Sequence, residues 1–172
     1  MSLISKAVAT RGGTWADFGA GTGTFSRALA SLLGPHGVVY AVDRDRAALR
    51  HLEDSARGAP AGMAEIRTRV GDFASPVELP ELDGAVIANA LHYIPYDHQP
   101  TVLAGVATRV QVGGPLVVVE YDRRAANRWV PYPITFVAFR TLARDAGLSE
   151  PVLLATRPSR YTGSIYSTVV RC

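Results

Sequence analysis

The chain has a single cysteine, Cys172, at its last position. An intramolecular disulfide framework is therefore excluded, and so is a cysteine-rich zinc site. Lysine is almost missing as well. Of 18 basic residues, Lys6 is the only lysine and the rest are arginine. Long apolar runs are absent: stretches such as Pro115 to Val119 fall far short of the roughly 20 residues that span a bilayer. Met1 to Arg11 lacks the apolar segment and small-residue cleavage site of a signal peptide. There is no internal repeat, low-complexity run or interdomain linker. What is present is the composition of a folded globular chain, with 172 residues, 48% of them hydrophobic and 19% charged. Such a length can bury roughly 70% of the unfolded surface. The expectation is one soluble, cytoplasmic domain over residues 1–172, with no membrane contact.

The net charge of +3 is by itself a weak sign of a nucleic-acid partner. Its distribution is uneven: residues 1–60 sum to +2, residues 61–120 to −4, and residues 121–172 to +5. Arginine usage of this kind reads first as codon bias. The other reading is phosphate or carboxylate recognition by the C-terminal arginines.

Short apolar runs alternate with helical periodicity along the chain. Strands are expected at Thr14 to Phe18, Val38 to Val42, Ala64 to Val70, Gly84 to Ala88 and Pro115 to Glu120. Between them lie helical patterns. The first runs from Thr24 to Leu33, with Phe25, Ala28, Leu29 and Leu32 on one face, and stops at Gly34-Pro35. Asp45 is a good N-cap for a helix reaching about Arg57. Two more helices are expected over about Gln99 to Val110 and Ile134 to Ala146, the last stopped by Gly147. Two strands close the chain, Val152 to Thr156 and Ser164 to Arg171. Unbroken Val/Ile/Ala strands alternating with helices imply a parallel, doubly wound α/β sheet. The final pair has no helix between its strands, so it must be a hairpin and the last strand antiparallel.

The sharpest motif is Asp17-Phe18-Gly19-Ala20-Gly21-Thr22-Gly23, between the first strand and first helix. Glycines there allow a tight turn and close approach to a ligand beside a helix N-terminus. Asp43 ends the second strand, where a carboxylate can accept from ribose hydroxyls. A dinucleotide site needs G-x-G-x-x-G, but the sixth position from Gly19 is Thr24. The spacing here is acidic-x-G-x-G-x-G. With Asp43, with Asp72 in Val70-Gly71-Asp72-Phe73, and with Asn89-Ala90-Leu91-His92-Tyr93 after the fourth strand, the chain resembles the class I S-adenosylmethionine-dependent methyltransferases of small-molecule type. The resemblance runs from Thr14 to the C-terminal hairpin. It implies a Rossmann-like, seven-stranded sheet of order 3-2-1-4-5-7-6 with the last strand antiparallel.

The resemblance also implies roles. Asp17 would lie near the amino end of the methionine moiety, through water or the loop backbone. Gly19, Ala20 and Gly21 would let the chain pass close to the cofactor. Asp43 would hold the ribose, with Arg44 against the adenine edge. Asp72 would accept from the adenine amino group, with Phe73 as an apolar wall, and Asn89 and Ala90 would line the methionine chain. The bland alternatives are an exposed strand-end carboxylate for Asp17, and a cap or turn role for Asp43 and Asp72. No metal is expected.

Methyl transfer from a sulfonium draws much of its rate from positioning, and a base is needed only if the acceptor must lose a proton. His92 is the base candidate, against the alternative of a packed or helix-capping histidine. Tyr93 is expected in the core. Tyr96 is a second catalytic candidate, with plain loop exposure as the alternative. Glu120 and Tyr121 end the fifth strand, where Glu120 would bind a cationic acceptor or act as a base. Trp129 and Tyr132, in the irregular segment Arg123 to Pro133, would cover the acceptor unless they merely pack on the surface. The turn Arg157-Pro158-Ser159-Arg160-Tyr161 is a weaker candidate. Ser26 and Ser55 carry no sign of a role.

A small-molecule acceptor is the expected partner. A homodimer stays open, and no nucleic acid is expected: the Asn/Asp-Pro-Pro-aromatic motif of amino-directed DNA enzymes is absent, and so is surface to hold a duplex. An RNA or protein methyltransferase and a non-catalytic cofactor-binding protein of the same fold remain alternatives. Residues 1–13 are expected to form a short helix, Leu3, Ile4, Ala7 and Val8 inward, as the remnant of a lid on a catalytic core at 14–172.

Overall fold

A computed structural model describes residues 3–8, 11–159 and 163–172. Among them lie seven strands, β1 (Gly13–Phe18), β2 (Gly37–Asp43), β3 (Glu65–Val70), β4 (Gly84–Ala88), β5 (Pro115–Asp122), β6 (Val152–Pro158) and β7 (Ser164–Arg171). The helices are α1 (Thr24–Leu33), α2 (Arg46–Ala56), α3 (Gln99–Ala107) and α4 (Phe136–Asp145). The strands form one sheet in the order β3-β2-β1-β4-β5-β7-β6. β1 to β5 pair in parallel, while β7 runs antiparallel to both β5 and β6. This is the doubly wound architecture expected from the alternation of elements, with the hairpin reversing the end of the chain.

Strand residues alternate between two faces. Ala16 and Phe18 join the α3 and α4 side with Ile87, Val118, Leu103 and Phe139. Trp15 joins the α1 side with Val86, Val117, Leu29 and Leu33. Asp17 shares the parity of Trp15, so it points toward α1. The central strands β4 and β5 are buried throughout their apolar cores, whereas β3 and β6 form the exposed margins of the sheet.

Several local expectations shift. The buried stripe of α1 is Ser26, Leu29, Ala30 and Leu33, rotated by one residue from the face read off the sequence, because Ser26 turns inward to meet Asp17. Helix α3 ends at Ala107, short of Val110. The chain leaves the helix so that Arg109 and Gln111 can bond the backbone of Leu82. Helix α4 begins at Phe136, later than Ile134, because the Thr135 hydroxyl caps it by accepting from the Ala138 N–H at 3.1 Å. Asp45 caps α2 as expected, accepting from the N–H groups of Ala47 and Ala48.

At the N-terminus, residues 3–7 form turns and not a regular helix, with the Ala7 N–H bonded to the Ile4 carbonyl. Leu3, Ile4 and Ala7 are buried in the α1-side core. They line none of the cavities described below, so the expected lid is a plug under the sheet.

Gly23 enters α1 at φ 85°, and a Cβ there would come within 2.2 Å of Leu52 Cδ1 on α2. The third glycine of the loop thus serves helix packing. Gly23→Ala is expected to lower stability by about 2 kcal/mol, from left-handed strain and crowding against Leu52. Urea unfolding of the two proteins measures it; equal midpoints would remove this account of Gly23.

Candidate active site

Strand order reverses between β1 and β4. β1 is followed by α1 on one face, and β4 leads to α3 on the other. The loops leaving their carboxyl ends part there and open a crevice, the place where doubly wound sheets bind ligands. Three cavities converge on it.

The first, about 330 Å³, is walled by Gly19, Gly21, Asp43, Arg44, Asp72 and Phe73 together with Asn89, Ala90 and Tyr93. Asp43 is fixed by the backbone: Oδ2 accepts from the Gly21 N–H at 2.7 Å and Oδ1 from the Asp45 N–H at 2.8 Å. Each oxygen keeps a further lone pair for a ligand. Asp72 Oδ1 accepts from the Ala74 N–H at 2.9 Å, which sets the turn that brings Phe73 over the cavity. Gly19, at φ 75°, lies against Ala90; a Cβ would meet the Ala90 methyl at 2.4 Å. The two loops therefore touch, and the loop backbone is held at the cavity wall.

The adjoining cavity, about 740 Å³, includes Asp17, Ala20, Thr22, Phe25 and Arg157. Asp17 is not the exposed strand-end carboxylate of the bland alternative: it is 1% exposed. Its Oδ2 accepts from the Ser26 hydroxyl at 2.6 Å, while Oδ1 is enclosed with no partner among the described residues. Burial pushes its carboxyl up to about 6; the Ser26 bonds oppose this and the nearby Asp43 charge adds to it. Asn89 borders all three cavities. It adopts φ 51°, a left-handed conformation that asparagine tolerates better than other side-chain-bearing residues. Its N–H bonds to the Val119 carbonyl at 2.8 Å, and its Oδ1 is buried without a partner. A ligand with cationic and hydroxyl groups fits this donor set: two orphaned acceptors, two aspartates at the rim and an aromatic wall.

The remaining cavity, also about 330 Å³, is lined by Asn89, His92, Tyr93, Tyr121, Arg123, Asn127, Trp129 and Val130. It shares Asn89 and Tyr93 with the first cavity. His92 is 1% exposed and lies on a 3₁₀ turn, Leu91–Tyr93. Its Nδ1 is 2.6 Å from Glu120 Oε2, and its backbone N–H donates to Glu120 Oε1 at 3.2 Å. Both carboxylate oxygens face one residue. Because the backbone N–H can only donate, Glu120 is the acceptor, and Nδ1 carries the proton toward it. Nε2 is then left as an acceptor.

Four expectations change here. Glu120 is fully buried behind His92 and borders none of the three cavities, so its carboxylate faces the histidine and not open space. Tyr93 is 48% exposed and walls two cavities, where the core was expected. Tyr96 is 55% exposed and borders none of the three; its hydroxyl donates to the Pro133 carbonyl at 3.3 Å. Tyr132 also stays outside, stacked edge-on against Tyr96 at 5.4 Å with its N–H on the His92 carbonyl. Tyr121 and Trp129 do line the second cavity. Of the β6–β7 turn, Arg157, Pro158 and Ser159 border the Asp17 cavity, while Arg160 and Tyr161 lie outside the described residues. Sequence reading missed Ser26, Arg123, Asn127 and Val130. Ser26 had one usable signal, its place two residues into the helix beside the loop.

Among the described residues there is no group of three or more potential metal ligands, and no helix is long and apolar enough to cross a membrane. A family model described as a methyltransferase domain matches residues 16–114. No curated protein matches the chain. Among solved structures, the arsenic(III) S-adenosylmethionine methyltransferase of Chlamydomonas reinhardtii is similar at 20% identity and TM-score 0.73, over 94% of this chain and 63% of that one. Magnesium protoporphyrin IX methyltransferase of Synechocystis, with bound S-adenosylmethionine, is similar at 19% identity and TM-score 0.67, over 92% and 70% of the chains. An S-adenosylmethionine-dependent methyltransferase of Methanosarcina mazei is similar at 18% identity and TM-score 0.72, over 99% and 96%. The chain thus spans less than two thirds of the algal enzyme and nearly all of the archaeal one.

Proposed function

We propose that this chain, which belongs to the methyltransferase domain family, methylates a small-molecule acceptor seated beside His92 with S-adenosylmethionine as donor. One observation carries the reading: the cavity between the glycine loop and Asp72 meets the His92 cavity at Asn89 and Tyr93. A donor in the first and an acceptor in the second would lie against each other.

When bound, the donor supplies an electrophilic methyl group on a sulfonium. The chain's residues do the rest. Asp43 holds the ribose hydroxyls, and Asp72 and Phe73 hold the adenine, with Arg44 at its edge. Asp17 and Asn89 present their unpartnered oxygens to the methionine end, along the backbone of Gly19, Ala20 and Gly21 and the wall made by Ala90. Tyr93, Tyr121 and Trp129 line the acceptor's cavity with aromatic surface. Where the acceptor carries a proton on its reacting atom, His92 takes it at Nε2, and Glu120 steadies the resulting imidazolium through Nδ1. Residues 1–172 act as one domain, placed in the cytoplasm. A cavity of about 330 Å³ fits a metabolite and not a duplex or a folded protein.

Titration calorimetry with S-adenosylhomocysteine tests the donor site. The wild-type chain is expected to bind, and Asp43→Ala to bind roughly tenfold or more weakly, since two charge-assisted hydrogen bonds are lost. No binding by wild type, or undiminished binding by the variant, overturns the assignment. A screen of metabolite extracts with labelled donor then identifies the acceptor and separates an enzyme from a cofactor-binding protein without turnover.

A further inference from the structure

The cavity beside His92 is lined by a cation with no counter-ion among the described residues. Arg123, just after β5, lines it, and its Nε and Nη1 are enclosed with no hydrogen-bond partner among the described residues. A guanidinium stays charged at every physiological pH. The acidic groups nearest in sequence make no ion pair with it among the described residues: both Glu120 oxygens face His92, and Asp122 Oδ1 accepts from the Phe136 N–H. Arg123 is half-buried, and two enclosed guanidinium nitrogens without partners are costly unless a ligand completes them.

The remaining walls define what that ligand is. Tyr93, Tyr121 and Trp129 present aromatic surface, and Val130 closes the floor at 4% exposure. Arg128, the other basic residue nearby, lies over the Trp129 ring at 4.6 Å and braces that wall. One free guanidinium balances one negative charge. Its planar fork matches a carboxylate, and flat aromatic walls match a planar apolar body.

We propose that the methyl acceptor is a planar, apolar carboxylate, its carboxylate bound by Arg123 and its body held between Trp129 and the two tyrosines. This rests on reading the cavity as the acceptor site. It deepens that reading by naming the acceptor's charge and shape, and it leaves the accepting atom open. The arginine-rich C-terminal third of the chain then includes at least one residue kept for recognition.

Trp129 is 65% exposed at the cavity and Trp15 is buried under the sheet, so ligand-dependent quenching reports Trp129. The experiment titrates the full chain, saturated with S-adenosylhomocysteine, with benzoate, benzyl alcohol, benzylamine, phenyl phosphate and acetate. Benzoate is expected to bind roughly tenfold or more tightly than benzyl alcohol, and more tightly than each of the others. Arg123→Gln is expected to erase the preference of benzoate over benzyl alcohol, and Arg123→Lys to restore part of it. Both variants are expected to keep the wild-type affinity for S-adenosylhomocysteine, which also shows that they fold. Equal affinity for benzoate and benzyl alcohol overturns the proposal, as does a preference that survives Arg123→Gln. Tighter binding of phenyl phosphate or benzylamine overturns the carboxylate, and no quenching by any ring compound at millimolar concentration overturns the site. Loss of S-adenosylhomocysteine binding by the wild-type chain is a separate outcome, which overturns the donor assignment instead.

Discussion

For an acceptor that must lose a proton, Glu120→Gln is expected to lower kcat about a hundredfold or more while leaving S-adenosylhomocysteine affinity unchanged. Glu120 Oε1 accepts from the His92 backbone N–H, and Oε2 faces His92 Nδ1 at 2.6 Å. A glutamine of the same shape has one acceptor and one donor. If its amide oxygen faces the backbone N–H, its NH₂ faces Nδ1, which must then give up its proton. The ring becomes the Nε2–H tautomer and can no longer accept a proton from the acceptor. If the amide is reversed, its NH₂ opposes the backbone N–H, two donors in a dry site. The reversed amide would keep the Nδ1–H tautomer, but the clash of two buried donors disfavours it, so the first arrangement prevails and the base is lost. Nitrogen NMR of the imidazole reads the tautomer without any acceptor. The Nδ1–H form should dominate in the wild type and diminish in the variant. Turnover on the acceptor found by the screen gives kcat, and His92→Gln should lose as much. A fully active Glu120→Gln enzyme with an unchanged imidazole spectrum ends the assignment of Glu120. An active His92→Gln enzyme removes the base and leaves the family membership untouched.

The sheet and the glycine-loop half of the crevice were legible because their signals are local. Glycine spacing, an acid at the end of β2, another after β3, and Asn89 after β4 all follow from element order, and each borders a cavity. The His92 half depends on pairs that sequence spacing does not display. His92 and Glu120 lie 28 residues apart and meet only because β4 and β5 are neighbours, with Ala88 opposite Val119. The expected strand order already contained that adjacency, but it names no partner without side-chain direction. The same limit confused Tyr93 with Tyr96. A 3₁₀ turn, not an α-helix, follows β4, and it aims Tyr93 into the crevice and Tyr96 toward Pro133. Arg123 had no signal of its own among so many arginines. Its enclosure, and not its charge, distinguishes it.

Asp17 governs the other large expected effect, a fall in donor-site affinity as the pH drops through about 6. Burial raises the carboxyl to that value in the ligand-free chain, above its ordinary range near 4. The folded form therefore holds its proton more tightly than the unfolded form. The stability this contributes is fully present below the unfolded value near 4 and is lost as the pH rises through about 6. At neutral pH the ligand-free chain carries a buried, half-satisfied anion, at a cost of about 3 kcal/mol. In the proposed site, the ammonium of the methionine end would give Oδ1 the partner it lacks among the described residues. Binding then favours the ionised form and releases a proton below pH 6. S-adenosylhomocysteine affinity should be flat above that pH and fall by up to about tenfold per pH unit below it. Asp17→Asn keeps the shape and the Ser26 contact but brings no charge. Its affinity at pH 8 should be about a hundredfold weaker and should not vary with pH in this range, whereas its unfolding midpoint at pH 8, without ligand, should equal or exceed that of the wild type. Calorimetry in buffers of different ionisation enthalpy counts the released proton, and thermal melts supply the midpoint. A wild-type affinity that is level from pH 5 to 8 would separate Asp17 from the ammonium. A variant that binds like the wild type would return it to a buried structural carboxylate held by Ser26.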